Sequence, residues 1–445
     1  MKADRSALAE LYRDHVAVLG RGYALALAET GWDGAVIHSG SQKIRCVFDD
    51  QYWPLRVTPH FQHWLPLAVP DCALLVMAQA PVPPTLFHNT QRSFWEGTIS
   101  PESDHFWAHF QVVEVSEPEK VKDLLPRGAR LAFFGEDAAR GLSWGQGASV
   151  HNPSDLVKRL DRLRTIKSGY EEACISEANR RAAEGHRRVA EAFLTGDHSE
   201  LQLHLMYLEA TGQDDPETPY KNIVAMGRNA ATLHHVHYGR RAGGARSLLL
   251  DAGATFLGYA SDITRTVVKG NGEAVDVFRD LVARMDTLQQ EAGRRVHVGL
   301  PYEQLHDQSH ELLAEILRDL GIARGSGDEL VASGATRRFF PHGLGHSLGL
   351  QCHDVGCAVV RPRPENPFLR NTSTIHEGQV FTIEPGCYFI DSQLEALRSS
   401  AAGSLINWKL VAALAPLGGV RIEDNLAVGQ ETARNLTREF LGTIS

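Results

Sequence analysis

Four carboxylates and one imidazole are the residues whose types and surroundings could do chemistry. They are Asp251 in Leu-Leu-Leu-Asp-Ala-Gly, Asp262 in Ser-Asp-Ile-Thr-Arg-Thr, His346 in Pro-His-Gly-Leu-Gly-His-Ser-Leu-Gly, Glu384 in Thr-Ile-Glu-Pro-Gly and Glu423 in Arg-Ile-Glu-Asp-Asn. Each stands beside apolar or Gly-rich residues rather than in a charged surface run. Aimed at a common point, such groups repel strongly, and bound cations are what make the cluster tolerable. Taken singly, each has a plainer reading: a turn Asp, a core His, a solvated Glu. Five in these contexts, with His342 and His353 close by in sequence, are harder to read that way.

Oxygen donors with one nitrogen and no thiolate disfavour a structural zinc site. The set suits Mn²⁺ or a similar hard cation, with Co²⁺, Fe²⁺ or Zn²⁺ as alternatives. Five side chains suffice for two divalent metal ions per subunit if some carboxylates bridge. Two ions about 3.5–4 Å apart can share one water, bring its ionisation near neutral pH and clamp a developing oxyanion. That chemistry is hydrolysis.

Elements must bring these residues together. Asp251 closes the apolar run from Ser247, and Asp262 precedes a β-branched run. The simplest arrangement is two adjacent antiparallel strands with both carboxylates on one face. Gly253 and Gly258 let the chain turn back. Val380–Ile383 reads as a buried strand ending in Glu384, and strand alternation puts Arg421 and Glu423 on one face. The stretches 273–296 and 302–320 read as amphipathic helices. The stretch 394–419 carries no firm assignment.

Upstream, short apolar runs at 35–38, 73–77 and 130–134 read as strands, with a helix over 6–29. Ser168 with Glu171 is a capping box that opens a helix to about Thr195, where Gly196 suits the stop. Ser199 with Gln202 opens another, ending near Gly212. At 445 residues, two domains are the default, with a boundary near residue 160.

A net charge of −9 argues against a nucleic-acid partner, which needs a basic face. No apolar run is long enough to span a bilayer, and the N-terminus lacks an apolar signal core. Six dispersed cysteines without a CxxC pair read as reduced, so the expected location is cytoplasmic.

The motifs together resemble the proteobacterial Xaa-Pro dipeptidases (prolidases) of the pita-bread metallopeptidase superfamily. The resemblance runs nearly full length: His38-Ser-Gly, Phe48-Asp-Asp, Tyr220-Lys-Asn-Ile-Val-Ala, Leu-Leu-Asp-Ala-Gly-Ala, Phe340-Pro-His-Gly-Leu-Gly-His, Leu350-Gln-Cys-His-Asp-Val-Gly and Gly419-Val-Arg-Ile-Glu-Asp-Asn. It implies an α+β protein of two domains. Residues 1–160 would be a mixed α/β domain for dimerisation and substrate access. Residues 161–445 would be a pita-bread catalytic domain with a curved antiparallel sheet. It implies hydrolysis of dipeptides with proline second, by a homodimer.

By resemblance, Asp251, Asp262, His346, Glu384 and Glu423 bind two metal ions, usually manganese, with Asp262 and Glu423 bridging. Glu384 is also the general base, and His353 lies over the scissile carbonyl. His234, His342 and Arg421 contact the substrate carboxylate or the proline end. Tyr220, Tyr302 and Leu369 line the pocket, and Asp50 crosses a dimer interface to the dipeptide's amino group. The chain departs from the family pattern at Cys352, where an aliphatic residue is usual. It also has three histidines, His234, His235 and His237, and the choice of which faces the site stays open. The same centre could attack organophosphorus esters, which is one alternative reading; a metal-free binding module is another.

Overall fold

The computed structural model of this chain describes residues 5–79, 83–91, 106–144 and 151–442. It divides into two compact units. One comprises Met1–Arg164 with Ser168–Ala173, the other Thr165–Lys167 with Cys174–Ser445.

In the first unit five short strands form one mixed sheet. They are β1 (Gly34–His38), β2 (Ala73–Met77), β3 (Thr85–Asn89), β4 (Gln111–Val115) and β5 (Leu131–Phe134), in the order β4-β3-β2-β1-β5. β2 runs antiparallel to β1 and β3, while β5 joins β1 and β4 joins β3 in parallel. Val36, Leu75, Phe87, Val115 and Phe133 share a buried cluster with Val121, Leu125 and Trp144. The helix Arg5–Thr30 buries Tyr12, Val16, Leu19, Tyr23 and Leu27. That spacing is the stripe of an amphipathic helix.

The second unit is antiparallel throughout its described strands. β6 (Ile223–Met226), β7 (Ser247–Asp251) and β10 (Thr264–Val268) form one sheet with β7 central. Between β7 and β10 lies a two-stranded hairpin, β8 (Thr255–Phe256) and β9 (Tyr259–Ala260). It turns at Leu257 and Gly258, both at positive φ (49° and 89°), the conformation that matches strand twist in two-residue hairpins. β11 (Val380–Ile383) and β12 (Gly386–Tyr388) follow, then β13 (Gly419–Arg421), β14 (Asp424–Val428) and β15 (Ala433–Asn435). β11, β14 and β15 make a second sheet, and β12 pairs with β13. A single bridge between Thr264 and Glu423 joins the first sheet to the segment between β13 and β14.

Two long helices, Glu273–Arg294 and Tyr302–Asp319, supply most of the core behind these ladders. Phe278, Leu281, Met285 and Leu288 of the first meet Leu305, Leu313 and Leu317 of the second in one buried cluster. Phe381, Ile383, Val420 and Leu426 belong to it too. Both capping boxes form. Glu171 Oε2 accepts from Ser168 N at 2.9 Å, and Ser199 and Gln202 cap each other, with Gly212 ending that helix at φ 63°. The stretch 394–419 is mostly helical: Asp391–Arg398, then Trp408–Leu414, whose first turn is capped by the Asn407 side chain.

The expected facing pair of strand carboxylates needs one correction. Asp251 lies opposite Thr264, and Asp262 sits two residues before β10 begins. The cause is the small hairpin, which closes at its base through Ala252 N to Ile263 O (3.0 Å) and Ser261 N to Ala254 O (2.9 Å). At Gly253 any Cβ would collide with the Ser261 carbonyl, so only glycine permits this approach.

Candidate metal centre

Strand ends and one Gly-rich turn deliver the acidic residues to one place. Asp251 ends β7, Glu384 follows β11, Glu423 lies between β13 and β14, and His346 comes from the turn after Phe340. The Gly-rich turn is obligatory at Gly345, where a Cβ would meet the Thr382 carbonyl and the Tyr302 hydroxyl. Ligand atoms of Asp262, His346 and Glu423 all lie within 4.8 Å of one another. Asp251, Asp262, His346 and Glu423 are buried, while Glu384 is partly open.

The polar contacts tie all five into one cluster. Tyr220 Oη lies 2.7 Å from Asp251 Oδ1 and 2.5 Å from Asp262 Oδ1. His346 Nε2 is 3.3 Å from Asp262 Oδ2 and 3.7 Å from Glu384 Oε1. His346 Nδ1 faces the Ser347 carbonyl at 3.1 Å. A backbone carbonyl on one ring nitrogen, with the other aimed at acids, is how metal-binding imidazoles are oriented. Thr264 donates its hydroxyl to Glu423 Oε2 at 2.7 Å, while Glu423 Oε1 is buried without a hydrogen-bond partner. An orphaned carboxylate oxygen beside three other acids is a cation ligand in waiting. The donor set therefore fits divalent cations.

Electrostatics report the same strain. Burial pushes Glu423 well above the usual carboxylate range, and Asp262, Glu384 and Asp251 add to it. Burial also raises Glu384, to about 7, against the lowering charges of His346 and Arg421. Asp251 is raised by burial despite Arg421. Burial opposes the charge on Asp262 too, but His346 outweighs it and holds this acid low. His346 is raised in turn, the pull of Asp262 and Glu384 exceeding the cost of burial. One ion pair amid acids that resist ionisation is what a site shaped for positive charge looks like without it.

The residues expected to handle substrate are placed differently from one another. His342, His353 and His234 gather beside the acids. The His353 ring stands edge-on to His346 with centroids 4.4 Å apart. His234 is exposed and close enough to lower both His342 and His353, whereas His235 is tied to Glu200 Oε2 at 2.9 Å. His237 lines a separate cleft with His204 and Lys221. Of the three, His234 is the one whose charge is felt at His342 and His353.

Arg421 reaches the cluster, and each of its three nitrogens already serves a neighbour within the protein. It bonds Asp251 Oδ2 (2.5 Å), Tyr388 Oη (2.9 Å) and Thr264 Oγ1 (3.2 Å). A buried guanidinium requires a carboxylate partner, and Asp251 is that partner. Tyr302 differs from expectation: it is fully buried, and its hydroxyl donates to the Thr382 carbonyl at 2.7 Å behind the Gly-rich turn. Leu369 packs against Gly343 and lines a cavity together with His342. Asp50 belongs to the first unit and is exposed there.

Sequence reasoning missed Tyr388 and Asn425. Tyr388 bridges His342 Nε2 (2.8 Å) and Arg421, and Asn425 Oδ1 accepts from Asp262 N at 3.0 Å. The signal for Tyr388 was its place two residues beyond Gly386, on β12 opposite Gly419. Cys352 donates to Asp262 Oδ2 at 2.9 Å, so the unusual residue touches an acid of the centre.

Residues 173–430 match the family model described as metallopeptidase family M24, and residues 10–161 match that of the Xaa-Pro dipeptidase N-terminal domain. The chain is 40% identical to an Xaa-Pro dipeptidase of Pseudoalteromonas haloplanktis over 447 aligned residues, covering 98% of this chain and 99% of the relative. It is equally 40% identical to an Xaa-Pro dipeptidase of Shewanella amazonensis, covering 97% and 99%. Aminopeptidase P from E. coli, in its low-pH form, shares the fold at a TM-score of 0.76 and 22% identity, covering 98% of this chain and 96% of that one. Proline aminopeptidase P II from Yersinia pestis does so at 0.74 and 22%, covering 97% of each. The expected pita-bread architecture thus stands, and the converging acids are those of a metallopeptidase: the chain belongs to metallopeptidase family M24 and carries the N-terminal domain of the Xaa-Pro dipeptidases.

Proposed function

We propose that this chain is a metallo-dipeptidase that hydrolyses Xaa-Pro dipeptides, using two divalent cations held by Asp251, Asp262, His346, Glu384 and Glu423. The single observation that carries the metal reading is the buried, partnerless Oε1 of Glu423, in a carboxylate that has a ligand atom within 4.8 Å of ones from Asp262 and His346. The names of the relatives favour dipeptides over the phosphotriester reading. The oxygen-rich donor set favours manganese.

When bound, the cations supply an activated water and positive charge for the carbonyl oxygen. The protein's residues do the rest. Glu384 accepts a proton from the attacking water and returns it to the proline nitrogen. That nitrogen carries no proton in an Xaa-Pro bond, so it cannot depart without one. His353 is held below its ordinary pKa by burial and by the charges of His346 and Arg370, so it is a neutral imidazole. As such it donates a ring N–H to the carbonyl oxygen as charge develops. His342 and His234 meet the proline end. Arg421 acts one step back, orienting Asp251, and Tyr220 spans Asp251 and Asp262.

Two assays test this. Mn²⁺-loaded protein is expected to cleave Ala-Pro, to lose that activity on chelation, and to leave Ala-Pro-Ala intact. Cleavage of the tripeptide at a comparable rate, or of Ala-Pro without metal, overturns the reading.

A homodimer belongs to the same reading. Around Asp50 a short turn is pinned by the Ile44–Tyr52 bridge, and it exposes Val47 at 88% and Phe48 at 96%. Adjacent apolar side chains so exposed mark an interaction surface. With a second copy against it, Asp50 supplies the acid for the dipeptide's ammonium. Asp50→Ala is expected to lower kcat/KM for Ala-Pro by about 10–100-fold, the worth of one charged hydrogen bond, while metal content stays the same. Unchanged kcat/KM removes Asp50 from the site. The six free cysteines fit a reducing, cytoplasmic setting.

A further inference from the structure

His15, His63 and Glu171 converge in the first unit, all buried and all outside the centre described above. They come from three elements. His15 is on the helix Arg5–Thr30, His63 is near the end of the helix Pro59–Trp64, and Glu171 is in the first turn of the helix Gly169–Thr195. Part of Glu171's role is local, since its Oε2 completes the capping box with Ser168. A capping box needs no histidine, and here two imidazoles point at the same carboxylate.

The two rings are differently engaged. His15 Nε2 lies 2.7 Å from the His63 carbonyl, which can only accept, so Nε2 carries the proton. Burial keeps this ring neutral. Its Nδ1 therefore presents a lone pair, 2.8 Å from the Ser168 hydroxyl and 3.8 Å from Glu171 Oε2. One nitrogen on a backbone carbonyl and the other facing a carboxylate is again the orientation of a metal-bound imidazole. His63 is 1% exposed, and neither of its ring nitrogens has a hydrogen-bond partner. Its Nε2 sits 3.3 Å from Glu171 Oε1. A buried imidazole left this way is costly and calls for an explanation.

The spacing supplies one. A tetrahedral ion with bonds of about 2.0–2.2 Å holds its donor atoms about 3.3–3.6 Å apart. The separations here are 3.3 and 3.8 Å, and one ligand atom from each residue lies within 4.8 Å of the other two. The Tyr12 and Tyr170 rings, 6.3 and 5.1 Å from that of His15, wall the cluster with aromatic surface.

We propose that His15, His63 and Glu171 form a separate structural site for one transition-metal ion of the Zn²⁺ class, clipping two helices of the first unit to the first turn of the helix Gly169–Thr195. Two imidazoles and one carboxylate are a donor set of that class, and the Ser168 hydroxyl stands beside it for a fourth position. The site does not depend on the dinuclear centre, so the two readings fail separately.

Metal counting tests it. The full chain is equilibrated with Zn²⁺, passed through gel filtration and analysed for zinc per chain. Wild type is expected to retain three equivalents. His63→Gln and Glu171→Gln are each expected to retain two, with Mn²⁺-dependent Ala-Pro hydrolysis preserved. In a His346→Ala/Asp262→Asn background the firmly held equivalent is expected to persist, and to vanish when His63→Gln is added. Absence of any firmly held equivalent in the His346→Ala/Asp262→Asn background overturns the proposal, whatever the wild-type total. So does a third equivalent that both substitutions leave in place.

Discussion

Glu423→Gln is expected to abolish Ala-Pro hydrolysis and, in the same protein, to raise the melting temperature of the metal-free form. Both effects come from one side chain. Losing a carboxylate shared by the cations forfeits several kcal/mol of transition-state stabilisation, a drop of at least about 10³-fold in kcat. Without cations, however, that carboxylate is a liability. It is 2% exposed, its Oε1 is unpartnered, and three other acids push it upward. An amide keeps the shape, still accepts from Thr264, and brings donors of its own. Relief of about 1 kcal/mol corresponds to a rise of about 2–4 °C in a unit this size.

The pH dependence has a definite sign. Glu384 is raised from 4.5 to about 7, and Glu423 and Asp251 are raised as well. Across the window from about 4.5 to 7, the folded chain therefore binds more protons than the unfolded one. Stability of the metal-free protein must then fall as pH rises through that window. Glu423→Gln flattens the fall, and saturating Mn²⁺ offsets it increasingly as pH rises. Thermal melts with chelator between pH 5 and 8 read all three. A metal-free variant that melts lower than wild type contradicts this account of the cluster.

Asp424→Asn is expected to be the most destabilising conservative change in the second unit, by about 3–5 kcal/mol, because it strands the buried Arg265, while Arg438 keeps Asp286. Asp424 is fully buried between two arginines: Arg265 Nη2 reaches its Oδ1 at 2.7 Å, and Arg438 Nε its Oδ2 at 2.6 Å. Burial opposes its ionisation, but these two guanidinium groups outweigh that and hold it below the usual range. Arg265 also donates to the carbonyls of Thr264 and Glu423 at 2.9 and 2.8 Å. The loss should therefore spread to the centre, appearing as weaker Mn²⁺ retention beside the lower melting temperature. Adding Arg265→Met should recover part of the stability, since an unpaired buried charge is worse than none. A melting temperature within error of wild type would mean the network contributes nothing net.

Much of the centre was legible because its residues carry burial in their flanks. Leu248–Leu250 before Asp251, Val380–Ile383 before Glu384, and Gly343 and Gly345 around Leu344 announce acids and an imidazole where water is scarce. The capping boxes at Ser168 and Ser199 were readable because a cap is local. What could not be read is what long-range pairing decides. No local feature shows that Asp251, 170 residues away, takes the Nη2 of Arg421. Nor does any show that the Tyr302 hydroxyl turns to Thr382. That His235 is tied to Glu200, on the helix Glu200–Thr211, likewise has no local sign. The helix Trp408–Leu414 did have a local mark, Asn407 before an apolar run. It is only seven residues long, so its periodicity was too brief to register.

Tyr220 has one hydroxyl proton, yet its oxygen sits within 2.7 Å of Asp251 and 2.5 Å of Asp262. A single hydrogen cannot serve both neighbours, so the second approach holds only if one acid brings a hydrogen of its own. The raised Asp251 is the natural carrier. Loading the empty protein with manganese must then expel that hydrogen into solution. In weakly buffered medium the filling of this centre is therefore expected to be visible as acidification, readable with an indicator dye before any peptide is added.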